Sequence, residues 1–137
     1  MSYKPENTPT LIPSTMVRNG EQAITFYQSA FGFELGGDPM TDENGDLGYF
    51  DMRYKDALMM FFPENAYGMP HKTPATNGIP SGTSLYLYTE DVDKFYAHAV
   101  QNGATSIMEP ADMFWGDRMC KVSDPDGNEW TFATHTG

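Results

Sequence analysis

The chain has 137 residues, of which 39% are hydrophobic and 14% aromatic, a composition typical of a globular protein. Its 8 basic and 19 acidic side chains give a formal net charge of -11. Nucleic acid and anionic membranes also carry negative charge, so this balance excludes both as expected partners. It favours a cationic small molecule, although the same charge would also serve simply to keep the protein soluble.

A cytoplasmic protein is expected from the cysteine content and the start of the chain. Cys120 is the single cysteine and cannot form an internal disulfide, which fits a reducing compartment. The first residues lack the basic start and apolar run of a secretory signal, and no apolar stretch is long enough to span a bilayer. At this length we expect one domain over residues 1–137.

The first half of the chain predicts a strand, a helix and three further strands. An apolar strand at 11–17 runs into Asn19, which forms a helix-capping pattern with Gln22 three residues later. The helix should end at Phe31, before Gly32. Further strands are predicted at 33–37, 48–53 and 57–62, the last two forming a hairpin about 54–56.

Four prolines punctuate the segment 63–81, which shows little periodicity. A stretch of this length without regular structure is typical of a linker or a functional lid. We predict that it joins two modules, at 9–66 and 82–135.

The second half predicts the same order of elements. A strand at 84–88 leads to Asp91, the predicted cap of a helix with a continuous apolar stripe. The turn at 124–127 carries proline at its second position and glycine at its end, as a type I turn prefers. The remaining strands are predicted at 104–108, 118–122 and 130–134.

The two halves match at a nearly constant offset. Ile12 aligns with Ser84 at an offset of 72 (84 − 12), and Met60 aligns with Thr131 at 71 (131 − 60). Self-similarity at a fixed spacing indicates a duplicated unit in which neither copy buries its apolar face alone. The predicted fold is α+β, with two βαβββ modules in tandem forming a concave mixed-sheet cleft and with helices on the outside.

Strand alternation predicts which side chains point into that cleft. Leu85 and Leu87 should pack under the second helix, so that Ser84, Tyr86 and Tyr88 face the cleft. A mostly apolar pocket with a few hydroxyl groups has the character of a small-molecule binding site. Its predicted rim is formed by Met60, Ser84, Tyr86 and Thr131.

The loop at 109–118 is the strongest candidate for ligand contact. Phe114 and Trp115 place two large rings beside the charged residues Asp117 and Arg118, an arrangement suited to stacking and orienting a planar or polar ligand. Alternatively, the two charges form an internal ion pair, and the rings fill the core or a dimer interface.

The histidines do not form a catalytic cluster in the sequence. His71 lies in the linker, His98 on the polar side of the second helix, and His135 near the end, on the strand face that also carries Thr131. His135 would act as an acid or base at the rim of the cleft or would remain a solvated surface group. Cys120, in a predicted strand, is expected to be a packed residue rather than a nucleophile, so no catalytic residue is assigned.

Several motifs together resemble the vicinal oxygen chelate superfamily, which includes glyoxalases, bleomycin-resistance proteins, fosfomycin-modifying enzymes and extradiol dioxygenases. They are the helix at 23–27 followed by Phe31-Gly32-Phe33, the turn at 124–128 and the closing Trp130-Thr131-Phe132. The segment 113–118 is similar to the branch labelled from phosphonate-utilisation operons. The resemblance implies a homodimer in which paired halves complete two clefts.

The resemblance also implies where a divalent metal would be held, because enzymes of the superfamily use His, Gln or Glu on the first and fourth strands of each half. In this sequence those positions are Ile12, Met60, Ser84 and Thr131. Divalent metals prefer imidazole, carboxylate or thiolate donors, which these four side chains do not supply. We therefore expect neither a metal nor another cofactor.

Three functions stay open on this basis. The first is a metal-independent small-molecule binding protein that uses the predicted pocket and the loop residues Phe114, Trp115, Asp117 and Arg118. The second is an antibiotic-sequestering protein of the bleomycin-resistance type. The third is a lyase, isomerase or dioxygenase whose metal is held by atypical ligands.

Overall fold

The structure is a computed structural model that describes residues 2–137, so Met1 of the predicted domain lies outside the described residues. The first module contains a helix and five strands. They are β1 (Ser14–Val17), α1 (Gly20–Phe26), which continues as a π-helical turn (Tyr27–Phe31), β2 (Glu34–Leu35), β3 (Met40–Thr41), β4 (Leu47–Tyr54) and β5 (Ala57–Pro63).

The second module follows a linker that contains a 3-10 turn, Ala66–Gly68, and the short helix α2, Pro74–Asn77. Its elements are β6 (Leu85–Tyr88), α3 (Val92–Gln101), β7 (Thr105–Asp112), β8 (Asp117–Ser123) and β9 (Glu129–His135). No helix within residues 2–137 has the length and apolar character needed to cross a membrane.

Both predicted helix caps are confirmed. The Asn19 side chain accepts a hydrogen bond of 3.0 Å from the backbone N–H of Gln22. Asp91 accepts one of 3.2 Å from the backbone N–H of Lys94. Each bond satisfies an N–H group that the first helical turn leaves without a partner, which is why both helices begin where the sequence predicts.

The predicted ends of strands β2 and β7 are wrong, in each case because of the residues at or just after that end. Strand β2 ends at Leu35 rather than at residue 37, because two glycines follow it and glycine is a weak strand former. Strand β7 continues past residue 108 to Asp112, because the ladder irregularity between Met108 and Ala111 accommodates Pro110, which has no N–H to donate.

The linker contains a helix that its proline content did not predict. Thr73 caps α2 by accepting a hydrogen bond of 3.2 Å from the N–H of Thr76, and Pro74 occupies the first turn, where its missing N–H is not needed. Glu64 accepts a further bond of 2.8 Å from the N–H of Thr73, which fastens the helix to the end of β5.

The strands form two mixed sheets, one in each module, with the orders β1-β5-β4-β2 and β6-β9-β8-β7. Strand β3 pairs with β4 in addition. In the first sheet Ser14 is in register with Met60, and in the second sheet Tyr86 is in register with Thr131. These pairs reproduce the offsets of 72 and 71 in the sequence, so the duplication is visible in the pairing of the strands. The fold is α+β, with the two modules in tandem as predicted.

The two modules share one core centred on Trp130, which is 0% exposed. The centre of its ring lies 5.5 Å from the rings of Tyr27 and Phe33, 5.6 Å from Phe31 and 6.3 Å from Phe61. Four rings from the first module therefore surround one tryptophan of the second. Burial of this much aromatic surface is the main force that holds the halves together.

Two ion pairs also join the modules. Arg18 forms an ion pair of 2.7 Å with Asp126, whose side chain is only 9% exposed. Lys55 forms another of 2.7 Å with Glu90, but Glu90 is 89% exposed, so this pair contributes little to stability.

Candidate functional site

One face of the second sheet carries exposed aromatic side chains. In β6, Leu87 is buried against the core, whereas Tyr86 is 44% exposed and Tyr88 is 54% exposed. The predicted alternation of this strand is therefore confirmed. The turn between β7 and β8 adds Phe114 and Trp115 to the exposed rings. We call Tyr86, Tyr88, Phe114 and Trp115 the aromatic surface.

A buried carboxylate lies directly beneath this surface. Asp117, the first residue of β8, is 2% exposed, and both of its oxygens are occupied. Oδ2 accepts hydrogen bonds from the hydroxyl of Tyr86 at 2.5 Å, the hydroxyl of Tyr88 at 2.8 Å and the indole Nε1 of Trp115 at 3.2 Å. Oδ1 accepts a bond of 2.9 Å from Nδ1 of His135. Four side chains thus converge on one carboxylate.

The register of the strands explains this convergence. Asp117 of β8 lies opposite His135 of β9, and Tyr88 of β6 pairs with Ala133 two residues before His135. Because side chains at alternate positions share a face, all three point to the same side of the sheet. The site is built on regular strands and is fixed by the sheet itself.

The hydrogen bonds shift the pKa values of the groups involved. The bonds from Tyr86 and then His135 hold the pKa of Asp117 at about 2, although burial opposes this effect. Burial and the bond to Asp117 raise the pKa of Tyr86, and a separate bond from Tyr88 to the same carboxylate raises the pKa of Tyr88. At neutral pH the site therefore contains an ionised carboxylate and two neutral phenols.

The tight turn that carries the two exposed rings depends on Gly116. Its φ is +92°, and a Cβ at this position would lie 2.9 Å from the backbone carbonyl carbon of Gly137. The N–H of Gly116 donates a bond of 3.2 Å to the carbonyl of Met113. This turn leaves Phe114 97% exposed and Trp115 47% exposed, with their rings edge to face at 5.0 Å.

Arg118 does not belong to this cluster. Its guanidinium donates to Asp93 at 2.9 and 3.0 Å and to Asp112 at 3.3 Å, on the side of the sheet that faces α3. These bonds raise its pKa, so the side chain is always charged. The alternative of an internal pair between Asp117 and Arg118 is wrong, because consecutive strand residues point to opposite faces.

The predicted rim residues divide between the two sheets. Thr131 is 3% exposed and lies in register with Tyr86, and Ser84 is exposed just before β6. Met60 lies half-buried in the first sheet, between Ser14 and Asp51. Within the described chain, Tyr86 and Thr131 therefore belong to one sheet, with Ser84 just before it, and Met60 belongs to the other.

A small cavity lies between residues of the two modules, next to Tyr86 of the aromatic surface. It has a volume of about 270 Å³ and is lined by side chains of both modules. The first module contributes Leu11 and Leu58, and the second contributes Leu85 and Tyr86. Tyr86 thus belongs both to the aromatic surface and to an apolar recess next to it.

The positions that the superfamily uses for a metal do not fit a divalent ion here. Ile12 has no donor atom, Met60 has a thioether, and Ser84 and Thr131 have neutral hydroxyls. Among residues 2–137, no group of three or more His, Cys, Asp or Glu side chains is arranged to hold a metal.

Two residues of the cluster were only partly anticipated. Tyr88 was predicted to face the cleft and His135 to share a face with Thr131, but neither was connected with Asp117. A hairpin register drawn from the turn at 124–127 would have paired Asp117 with Thr134, whereas in the observed ladder Ser123 pairs with Glu129 and Asp117 pairs with His135. Because β8 was predicted to begin at residue 118, Asp117 was left outside the strand and its pairing with His135 was not predicted.

A sequence model of the Glyoxalase/Bleomycin resistance protein/Dioxygenase superfamily matches residues 13–132. The uncharacterized protein Mb0911c of Mycobacterium bovis is 32% identical over 129 residues, which cover 91% of this chain and 82% of that protein.

Solved structures share the fold. TioX from Micromonospora sp. ML1 has a TM-score of 0.71 at 20% identity, covering 93% of this chain and 99% of that one. TnmS3, an antibiotic binding protein from Streptomyces sp. CB03234, has a TM-score of 0.63 at 23% identity, covering 93% and 97%.

Proposed function

Because the chain belongs to the Glyoxalase/Bleomycin resistance protein/Dioxygenase superfamily, we propose that it binds a planar, cationic small molecule on the aromatic surface without using a catalytic metal. The observation that carries this proposal is the carboxylate of Asp117, buried beneath exposed rings and bonded to three of them. Its residues are Tyr86, Tyr88, Phe114, Trp115 and Asp117.

The hydrogen bonds favour binding because they fix the rings in advance. An exposed aromatic side chain normally loses rotational freedom when a ligand covers it. Tyr86, Tyr88 and Trp115 have already lost much of that freedom through their bonds to Asp117. A planar ligand therefore meets a preorganised surface.

Charge favours a cation. The ionised carboxylate of Asp117 lies under the phenols, and the whole chain carries a net charge of -11. Aromatic faces attract cations, and the phenol of Tyr88 keeps its oxygen lone pairs for a ligand N–H, whereas the phenol of Tyr86 also accepts a bond of 3.3 Å from the indole of Trp115. Nucleic acid remains an unfavourable partner for the same electrostatic reason.

A homodimer would complete the site. The outward faces of both sheets carry apolar side chains that are not fully buried, Met60 and Phe62 in the first sheet and Tyr86 and Tyr88 in the second. In the proposed dimer, Met60 of one protomer faces Tyr86 of its partner across each of two clefts. Light scattering that gives the mass of a single chain would contradict this arrangement.

Tryptophan fluorescence can test the proposed surface directly. The chain has two tryptophans, Trp115 at 47% exposure and Trp130 at 0%, so a ligand on the surface should quench only the first. We expect a planar cationic probe such as ethidium to quench wild-type protein, and Trp115→Phe to remove the quenching.

A matched control distinguishes binding at the aromatic surface from non-specific binding of the probe to exposed aromatic residues. Tyr3 is an aromatic residue at 84% exposure, and Tyr3→Ala should leave the quenching unchanged. Tyr86→Phe should weaken it, because it removes one bond that fixes the ring. Equal quenching in wild type and Trp115→Phe would overturn the proposal, and so would binding that requires stoichiometric metal and disappears with a chelator.

Antibiotic sequestration is the second candidate. It is favoured by the likeness of the fold to the antibiotic binding protein TnmS3 and by the exposed rings of Trp115 and Phe114. The test is calorimetric titration with bleomycin-type glycopeptides. Absence of heat at micromolar protein would remove this candidate.

Two finer assignments remain proposals. The segment Met113–Arg118 supports placement in the branch labelled from phosphonate-utilisation operons, which a phylogeny placing the chain elsewhere would overturn. The unpaired Cys120 supports a cytoplasmic location, which cell fractionation can test.

A further inference from the structure

We propose that His135 and Asp117 form a proton-transfer pair in which Nε2 of His135 takes a proton from a molecule bound at the aromatic surface. The inference rests on the proposed binding surface for its natural ligand, but its chemistry can be tested without that ligand. It gives a role to a histidine that neither the superfamily positions nor the binding proposal uses.

The geometry defines which nitrogen is available. Nδ1 of His135 lies 2.9 Å from Oδ1 of Asp117, whose other oxygen is held by three further donors. An ionised carboxylate can only accept, so Nδ1 carries the hydrogen. The lone pair is then on Nε2, and the His135 side chain is 66% exposed. A carboxylate that orients an imidazole in this way makes the outer nitrogen a general base.

A carboxylate held in a fixed position lies beside the imidazole of His135. Asp117 contacts the imidazole directly through Oδ1. Tyr86 and Tyr88 donate to the other oxygen of the same carboxylate, Oδ2. Arg118, the neighbouring cation on β8, points to the opposite side of the sheet. An imidazolium formed at His135 would therefore lie next to a negative charge whose position does not change.

The proposed step needs no metal, oxidant or co-reactant. A bond from hydrogen to oxygen, nitrogen or carbon of the bound molecule breaks, and its electron pair stays on that atom. The proton moves to Nε2 of His135 and returns to the same atom or to a neighbouring one. Molecules bound at the aromatic surface with an acidic hydrogen beside Nε2 are the class that this step would convert, by a proton shift.

His98 provides an internal contrast. Its Nε2 lies 2.7 Å from the carbonyl oxygen of Ser29, which can only accept, so in His98 the hydrogen is on Nε2. The two histidines should therefore hold opposite tautomers. His71 is exposed in the linker and serves as a second reference.

Nitrogen-15 NMR of uniformly labelled wild-type protein above the histidine titration range tests the tautomers. We expect His135 with hydrogen on Nδ1 and His98 with hydrogen on Nε2. In Asp117→Asn, the preference of His135 should be lost. A wild-type His135 with hydrogen on Nε2 would overturn the inference.

Cleavage of p-nitrophenyl acetate tests the reactivity of Nε2. The nitrogen attacks the ester carbonyl, the bond to p-nitrophenolate breaks, and water then removes the acetyl group as acetate and restores the histidine. We expect His135→Gln to lower the protein-dependent rate by roughly tenfold or more. His71→Gln and His98→Gln should leave it within error, and an unchanged rate in His135→Gln would overturn the inference.

The same proteins separate this inference from the binding proposal. His135→Gln alters an exposed side chain and should fold normally, even if Asp117→Asn does not. Loss of the rate in His135→Gln, with ethidium quenching kept, supports both proposals. If ethidium fails to quench Trp115 in any protein but the rate still depends on His135, the binding proposal falls and the proton-transfer pair stands.

Discussion

The phenolic hydroxyl of Tyr27, in the first module, donates a hydrogen bond of 2.5 Å to the carboxylate of Asp124, in the second module. Both residues are buried, at 1% and 4% exposure. The same oxygen of Asp124 accepts a bond of 3.0 Å from the indole of Trp130. One carboxylate in a turn therefore connects the centre of the shared core to both modules.

Tyr27→Phe should destabilise the protein, because it removes a buried bond to an acidic group. We expect a loss of about 1.5–3 kcal/mol in the free energy of unfolding, measured with urea. Tyr96→Phe is the matched control, since its hydroxyl bonds to Ser106 at an exposed position. A similar loss of unfolding free energy in both variants would show that the buried hydrogen bond contributes no more to stability than the exposed one.

Phe61→Ala should be among the most destabilising changes in the core. Phe61 is 0% exposed and stacks on Phe50 at 4.9 Å, so truncation leaves a cavity. Thermal and urea unfolding should show a loss of about 3–5 kcal/mol. Phe114→Ala removes the same ring from a site at 97% exposure and should change stability by less than about 0.5 kcal/mol. A large loss in Phe114→Ala would place that ring in an interface.

Asp117 should make the protein sensitive to acid. Its pKa is about 2 in the folded protein, below the ordinary value of 3.8. Its contribution to stability is therefore present above the ordinary pKa and is lost as the pH falls through the folded value. Urea midpoints measured from about pH 5 to about pH 2 should fall less steeply in Asp117→Asn than in wild type. Parallel curves would contradict the assigned pKa.

Cys120 should be chemically inert in the folded state. It is 0% exposed, and burial raises the pKa of its thiol to about 11, so little thiolate forms at neutral pH. Dithionitrobenzoate should not react with native protein and should titrate one thiol in urea. Rapid reaction of the native protein would show that β8 opens readily.

The fold was largely predictable because its signals are local. Asn19 and Asp91 are capping residues that mark where the two helices begin. In β6, leucine and tyrosine alternate from Leu85 to Tyr88, which predicts the face of the sheet on which each side chain lies. Strand β3 was missed because Met40 and Thr41 have no strand pattern of their own and are extended only through pairing with β4.

The site was less predictable because it depends on contacts between distant strands. Trp115 and Asp117 were both selected as candidates and lie in hydrogen-bond contact, but Arg118 was grouped with them by adjacency in the sequence and points elsewhere. The contact between Asp117 and His135 is set by the register of β8 and β9. An error of one residue in that register moves each side chain to the opposite face of the sheet, so the contact could not be predicted.

The shared core around Trp130 also determines whether either half can fold alone. A half-length chain ending within the linker would leave the ring cluster of Tyr27, Phe31 and Phe33 exposed to water. Each half therefore needs the other to cover its apolar face. We therefore expect separately expressed halves to precipitate alone and to reassemble into a soluble, folded pair when produced in the same cell.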